Sequence, residues 1–218
     1  MDEDFMAEGD ENQALGLRER KKLRTRQRIS DVATALFIER GFDNVPVAEV
    51  AKAAGVSTMT VFNYFPRKED LFLDRIPEAV DLFTRAVRER HDGETPVGAV
   101  HRLLLGLLDQ RHPLAAVADR FVFFGRIVLD SPALRARARE GVEEVENALA
   151  TAVAETTGAP VGDQRPRLVA ALTVAACRAT FMAAAGRLLA GERAEDIVDS
   201  HRSYVDETFA ALDRALYG

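Results

Sequence analysis

Tryptophan is missing from this chain of 218 residues, and one cysteine, Cys177, stands alone. A lone thiol excludes an intramolecular disulfide and suits a reducing compartment. Aromatic residues are sparse at 7%, and no run of alternating apolar and polar residues is long enough to make a convincing strand. No stretch approaches eighteen uninterrupted apolar residues. The longest candidate, Val169 to Ala190, is broken by Arg178 and Arg187, which favours a helix of a soluble protein over a membrane span. The amino terminus is acidic and lacks the basic-then-apolar order of a signal peptide. A cytoplasmic protein with no membrane partner is expected.

Catalytic signatures are missing as well. His91, His101, His112 and His201 fall at no metal-binding spacing,. There is no phosphate-cradling Walker loop, no GxSxG and no dinucleotide fingerprint. Cys177 lies in an apolar helical stretch and reads as a core thiol rather than a nucleophile. No enzymatic activity, cofactor or metal is therefore expected.

What is present is a core-forming, helix-rich composition. Hydrophobic residues make up 47% and charged residues 29%, and Ala, Leu, Arg and Glu dominate the second half. The net charge of -6 is unevenly spread. Residues 1–17 carry six acidic groups and no Lys or Arg, whereas 18–28 carry Arg18, Arg20, Lys21, Lys22, Arg24, Arg26 and Arg28 against Glu19 alone. Phosphate responds to the local field, so the acidic average does not exclude nucleic acid. A solvated charged face remains the commonest account of such a run taken alone.

Periodicity divides the chain into helices. Residues 1–17 are polar and poor in branched apolar residues, and are expected to be a disordered acidic tail. Ile29, Val32, Ala33, Leu36 and Phe37 give a helix over about 19–40, stopped by Gly41. A short helix from Val47 to Ala54 ends at Gly55, and Ser57 or Thr58 can cap another that runs to about Tyr64 and stops at Phe65-Pro66. Two short helices about a tight glycine turn form a helix-turn-helix. A longer helix is expected from Arg67 to Arg90, kinked at Pro77. Later helices are placed at 96–111, 113–129, 132–157, 164–190 and 194–216. The expected architecture is all-α. A helix-turn-helix domain spans 18–66, and a larger helical domain for ligand binding and dimerisation spans 67–218.

A second short helix of this kind can enter a major groove and offer its polar tips to base edges. Ser57, Thr58, Thr60, Asn63 and Tyr64 supply those tips, and Met59 a thymine-methyl contact. Arg67 and Lys68 are expected to meet phosphate with a free backbone N–H and a cation, and the basic run to reach flanking phosphates through Arg24 and Arg28.

The run Gly41-Phe42, Ala51, Ala54-Gly55-Val56-Ser57, Tyr64-Phe65 and Lys68-Glu69-Asp70-Leu71 resembles the DNA-binding domain of the TetR family over about residues 18–75. The resemblance implies a homodimer reading a palindromic double-stranded DNA operator, with a small-molecule effector bound by the C-terminal helices and repression relieved when it binds. By matched position, Thr58, Met59, Thr60 and Phe62 would face bases, while Asn63, Tyr64 and Lys68 would hold the backbone. Pro46 and Val47 stand where the family often has Thr or Ser, so that phosphate contact is lost. Ala48 is too short to read a base, and Asn63 replaces a frequent His. An architectural or partner-binding protein using the same head without an inducer is the alternative.

The family pairs its last two helices across a twofold axis. Here Ala171, Ala175, Ala179, Ala183 and Gly186 offer one small-residue face, and Val198, Val205, Phe209, Leu212 and Leu216 an apolar stripe. Either could instead bury in its own domain. Leu104, Leu108, Phe121, Phe123, Phe124 and Met182 are candidates to line an apolar ligand cavity, with Arg126 or Arg178 holding an anion. Ordinary core packing is the simpler account of each. The Phe62-to-Leu71 run with its Ala-rich penultimate helix also resembles a subgroup of these regulators that respond to acyl-CoA-like, hydrophobic ligands.

Overall fold

A computed structural model describes residues 4–218, with side chains described from Gly16 onward. All regular structure among the described residues is helical. The chain divides into two compact units, Met1–Asp74 and Arg75–Gly218.

The first unit is built on α1 (Asp4–Arg40), α2 (Val47–Ala53) and α3 (Thr58–Tyr64). Ile29, Ala33 and Phe37 recur at helical spacing and are wholly buried, so α1 has an inward stripe only in its second half. Leu17 and Leu23 upstream are exposed. The expected start near residue 19 is too late, because the acidic segment from residue 4 continues α1 as helix rather than as a disordered tail. It contains no proline, and extending an existing helix avoids the cost of nucleating a new one. Residues 1–3 of that segment lie outside the described residues.

Between α2 and α3 the backbone closes a tight turn. The Val56 N–H donates to the Ala51 carbonyl at 3.0 Å and the Gly55 N–H to that of Lys52 at 3.1 Å, while Gly55 takes φ +65°. This is a Schellman closure, which needs a left-handed residue at that position and leaves few other choices than glycine. A side chain placed on Gly55 would meet open space, so the requirement is conformational rather than steric.

After α3, a short 3-10 turn at Glu69–Leu71 buries Leu71, and Phe72 packs edge-on to Phe37 at 5.9 Å. The long helix expected from Arg67 does not form. The next α-helix begins at Ile76, so Pro77 sits in its first turn and bends nothing. A first-turn N–H has no intrahelical acceptor, so its absence costs nothing there. The compact unit therefore closes at Asp74, later than the expected boundary at 66.

The second unit comprises α4 (Ile76–Arg88), α5 (Pro96–Asp109), α6 (Phe121–Asp130), α7 (Pro132–Thr157), α8 (Arg165–Leu189) and α9 (Ala194–Tyr217). α7 packs on α4 and α8, while α9 packs on α5 and α8. Their shared core includes Val87, Val97, Val100, Leu149, Val153, Val169, Leu188, Ile197 and Phe209. The helix expected over 113–129 is broken. A 3-10 turn at Pro113–Ala115 ends with Ala116 at φ +59°, a left-handed residue that no α-helix can continue through. At the α4–α5 junction, the Thr95 hydroxyl caps α5 by accepting the Gly98 N–H at 2.9 Å,. Beside it, bidentate bonds from Arg102, both 2.9 Å, and the His91 N–H hold the Glu94 carboxyl down at about 2. α7 and α4 approach through Gly141, where an added Cβ would lie 2.7 Å from Ile76 Cδ1.

Among the described residues, α8 is the helix long and apolar enough to cross a membrane by length and composition. One of its faces is buried through Val169, Ala170, Thr173, Val174, Ala184 and Leu188.

Candidate nucleic-acid interface

α3 is held from behind and free in front. Val61 is wholly buried and Phe65, just after the helix, is 1% exposed. Each full burial of such a side chain is worth about 1.5 to 3 kcal/mol. On the opposite face Thr58 and Asn63 are exposed, with Met59 at 71% and Phe62 at 43%. Two large apolar side chains left in water on seven residues of helix form a surface suited to contact, and thymine methyl groups are apolar targets in a major groove. Thr60 and Tyr64 are half-buried at the edges of this face.

Of the two expected caps of α3, Ser57 is the one that forms. Its hydroxyl accepts the Thr60 N–H at 3.0 Å and lies 2.8 Å from the Thr60 hydroxyl, so it caps α3. No side chain caps α2 at Pro46, and Ala48 is exposed.

Lys68 and Arg67 differ from their expected form. The Lys68 ammonium donates to the Phe42 carbonyl at 2.6 Å and lies over the Phe42 ring at 4.3 Å and the Phe37 ring at 5.7 Å. Burial pulls its pKa below the ordinary lysine value, against the opposing pull of Asp43 and Glu69,. Lys68 is thus a strut between the end of α3 and the turn after α1, with two ammonium protons left for a phosphate. The Arg67 backbone N–H is not free. It donates to Asp70 Oδ2 at 3.2 Å, as the carboxylate closes the turn locally.

The basic run also divides by role. Arg24 and Arg28 are exposed and available to phosphate. Arg26 turns inward, donating to the Asp74 carbonyl oxygen at 2.8 Å and stacking over Phe65 at 4.8 Å, while Ser30 donates to the Asp74 carboxylate at 2.6 Å. The sequence carried the signal for this, since Arg26 continues the inward stripe of Ile29, Ala33 and Phe37. Arg40 and Glu49 form a bidentate pair that ties the end of α1 to α2.

The expected effector residues lie in the second unit and are not all interior. Leu108 is buried and Leu104 half-buried in the core. Phe121 meets Phe181 edge-on at 5.5 Å and lies tilted against Phe124 at 6.0 Å. Phe123, Arg126, Arg178 and Met182 are exposed, so they do not enclose a cavity with the others. Cys177 is half-buried, and burial pushes its thiol up to about 12, far from nucleophilic.

The two stripes proposed for pairing point in opposite directions. On α9, Val205 and Phe209 are buried, with Val198, Leu212 and Leu216 packed beside them in the same core. That stripe faces its own unit, which corrects its assignment to a partner. On α8, Ala175, Ala179, Ala183 and Gly186 are exposed together with Leu168, Leu172 and Met182, and Ala171 is half-buried.

Residues 29–74 match the sequence profile described as bacterial regulatory proteins, tetR family, and residues 112–215 match that of the MftR C-terminal domain. The HTH-type transcriptional regulator TcmR of Streptomyces glaucescens is 31% identical over 161 residues, spanning 72% of this chain and 71% of that protein. A TetR-family regulator from Mesorhizobium loti shares the fold with a TM-score of 0.56 at 21% identity, covering 88% of this chain and 96% of its own. The SmeT–triclosan complex does so with a TM-score of 0.54 at 18% identity, covering 86% and 91%.

Proposed function

The chain belongs to the TetR family of bacterial transcriptional regulators, and from that premise we propose that it represses transcription as a homodimer on a palindromic operator until a small molecule releases it. The observation that carries this reading is α3, anchored by buried Val61 while Thr58, Met59, Phe62 and Asn63 stand in water. In this reading Thr58, Met59, Thr60 and Phe62 meet base edges, and Asn63, Tyr64, Lys68, Arg24 and Arg28 meet phosphate. Ser57 acts first as the cap that orients them.

A twofold reader needs two such helices about 34 Å apart, one turn of duplex. The exposed apolar strip on α8 supports pairing through the last two helices, with α8 supplying the contact surface. The effector is a hydrophobic, acyl-CoA-like molecule acting on the second unit, in the cytoplasm. Phe121, Phe124, Leu104 and Leu108 are its candidate apolar contacts, and Arg126, at the surface, is a candidate anchor for an anionic end. Such a molecule moves the equilibrium only by binding the DNA-released state more tightly.

Footprinting on the DNA flanking the protein's own gene tests the proposal. A protected inverted repeat is expected, bound roughly a thousandfold or more tighter than random duplex at moderate salt. Equal affinity for the two would overturn it.

A further inference from the structure

The α8 strip runs from Leu168 to Gly186, with Leu168 53% and Met182 57% exposed. Its midpoint falls at Cys177-Arg178. Arg178 is exposed and has no hydrogen-bond or ionic partner among the described residues. A cation placed beside the centre of an apolar surface, with no partner in its own chain, marks what that surface meets.

Its direction follows from its neighbours on α8. Arg167 lies three turns earlier on the same side and pairs with Glu146 of α7 at 3.0 Å. Arg187, on the other side, donates to Ser200 of α9 at 2.7 Å. Arg178 therefore leans away from its own α9. That flank of α8 borders its own α7 through Arg167 and Glu146, and when two copies pack α8 and α9 as a four-helix bundle, the second copy's α9 lies across the exposed strip beside it.

The level along the bundle selects the acceptor. Arg178 stands eleven residues before the end of α8, and Val205 eleven residues after the start of α9, so the two are level across the hairpin. A twofold axis through the middle of the strip keeps residue 178 level with residue 205 of the other copy. Glu207 is two residues on, about 3 Å along the axis, and a guanidinium spans that distance. Glu207 is exposed on the outward face of α9 with Ser200, Tyr204 and Ala211, and it too has no partner among the described residues. Among the other carboxylates of α9, Glu195 is paired with Arg193, and the rest do not compete. Asp206 is bonded to His101 at 2.7 Å, Asp213 is bonded to Thr95, and Asp196 and Asp199 lie about two turns from the midpoint.

We propose that Arg178 of each copy pairs with Glu207 of the other, and that this reciprocal ion pair fixes the register of the α8–α9 dimer. The inference rests on the dimeric reading above. It is tested by sedimentation equilibrium on the full chain, its Arg178→Glu and Glu207→Arg variants, and the double reversal. Each single reversal is expected to weaken dimerisation by about tenfold or more, since it sets like charges against each other at both symmetric sites. The double reversal is expected to restore it to within about threefold, in the manner of a double-mutant cycle. Arg178→Gln, uncharged and tolerated in helices, is expected to fall between and keeps the test open should a reversal impair folding. Single variants as dimeric as the wild type, or a double no better than the worse single, would overturn the pair and leave the dimer intact. A monomeric wild type would overturn the dimer itself, and the pair with it.

Discussion

Lys68 shows why substitutions in one small helical unit must be sorted by more than charge. Its ammonium supports the Phe42 carbonyl, whereas the Thr58 side chain stands free in solvent. Lys68→Ala is expected to lower both stability, by about 1 to 3 kcal/mol, and affinity for every DNA sequence. Thr58→Ala is expected to leave thermal unfolding unchanged and to reduce discrimination at one operator position by about 1 to 3 kcal/mol. Melting curves read beside binding to matched and mismatched operators separate the two, and a specificity change from Lys68→Ala at constant stability would refute the division. The sequence shows a cation following Arg67, but not a carbonyl 26 residues back against which it folds. Ser57, Met59 and Phe62 were legible because capping and amphipathicity are local. The inward turn of Arg26 was marked by its place on the stripe of Ile29, Ala33 and Phe37, but its acceptor, Asp74, is a distant residue that local pattern does not reach.

At the scale of elements, helix boundaries marked by capping chemistry were readable and choices of face were not. α7 spans Pro132–Thr157 because Ser131-Pro132 and Gly158 bracket it with local signals. The apolar stripe of α9 and the small-residue face of α8 looked equivalent as patterns, yet one is core and the other surface. Periodicity reports that a face is apolar, while packing decides what covers it. The α7–α4 approach is equally invisible in sequence. Gly141→Ala would place a methyl group within 3.3 Å of three atoms of Ile76, including its branched Cγ2. Overpacking of about 1 to 3 kcal/mol then opposes a helix-propensity gain of about 1 kcal/mol. A net loss of up to about 2 kcal/mol in thermal or denaturant unfolding is expected. A gain in stability would mean that Ile76 rotates away without cost.

For the whole molecule, the overall charge of -6 is a poor guide to DNA binding, because the exposed Arg24 and Arg28 lie on one helix ahead of the buried stripe. Each phosphate contact contributes close to one unit to the salt dependence of the binding constant. Since the proposed homodimer carries every side chain twice, Arg24→Ala or Arg28→Ala is expected to reduce the slope of log affinity against log salt by about two. Preference among operator sequences should be unchanged. Titrations at several sodium chloride concentrations measure this, and an unaltered slope would remove these arginines from the interface. The all-helical class and the presence of a reading head were legible because motif and composition agree. Where the first unit closes was not, since Leu71, Phe72 and Asp74 join it by tertiary contact.

The bare flank of α8 bears on how such a protein keeps its identity among relatives of the same fold. A strip of leucine, methionine and alanine is permissive, and would accept a similar helix from almost any sibling present in the same cell. With Arg178 beside its centre, a foreign chain that offers no carboxylate at the right height leaves a guanidinium stranded in a drying seam. Under the proposed pairing, one arginine would act as a password, keeping half of one regulator from being yoked to half of another and aimed at an operator that belongs to neither.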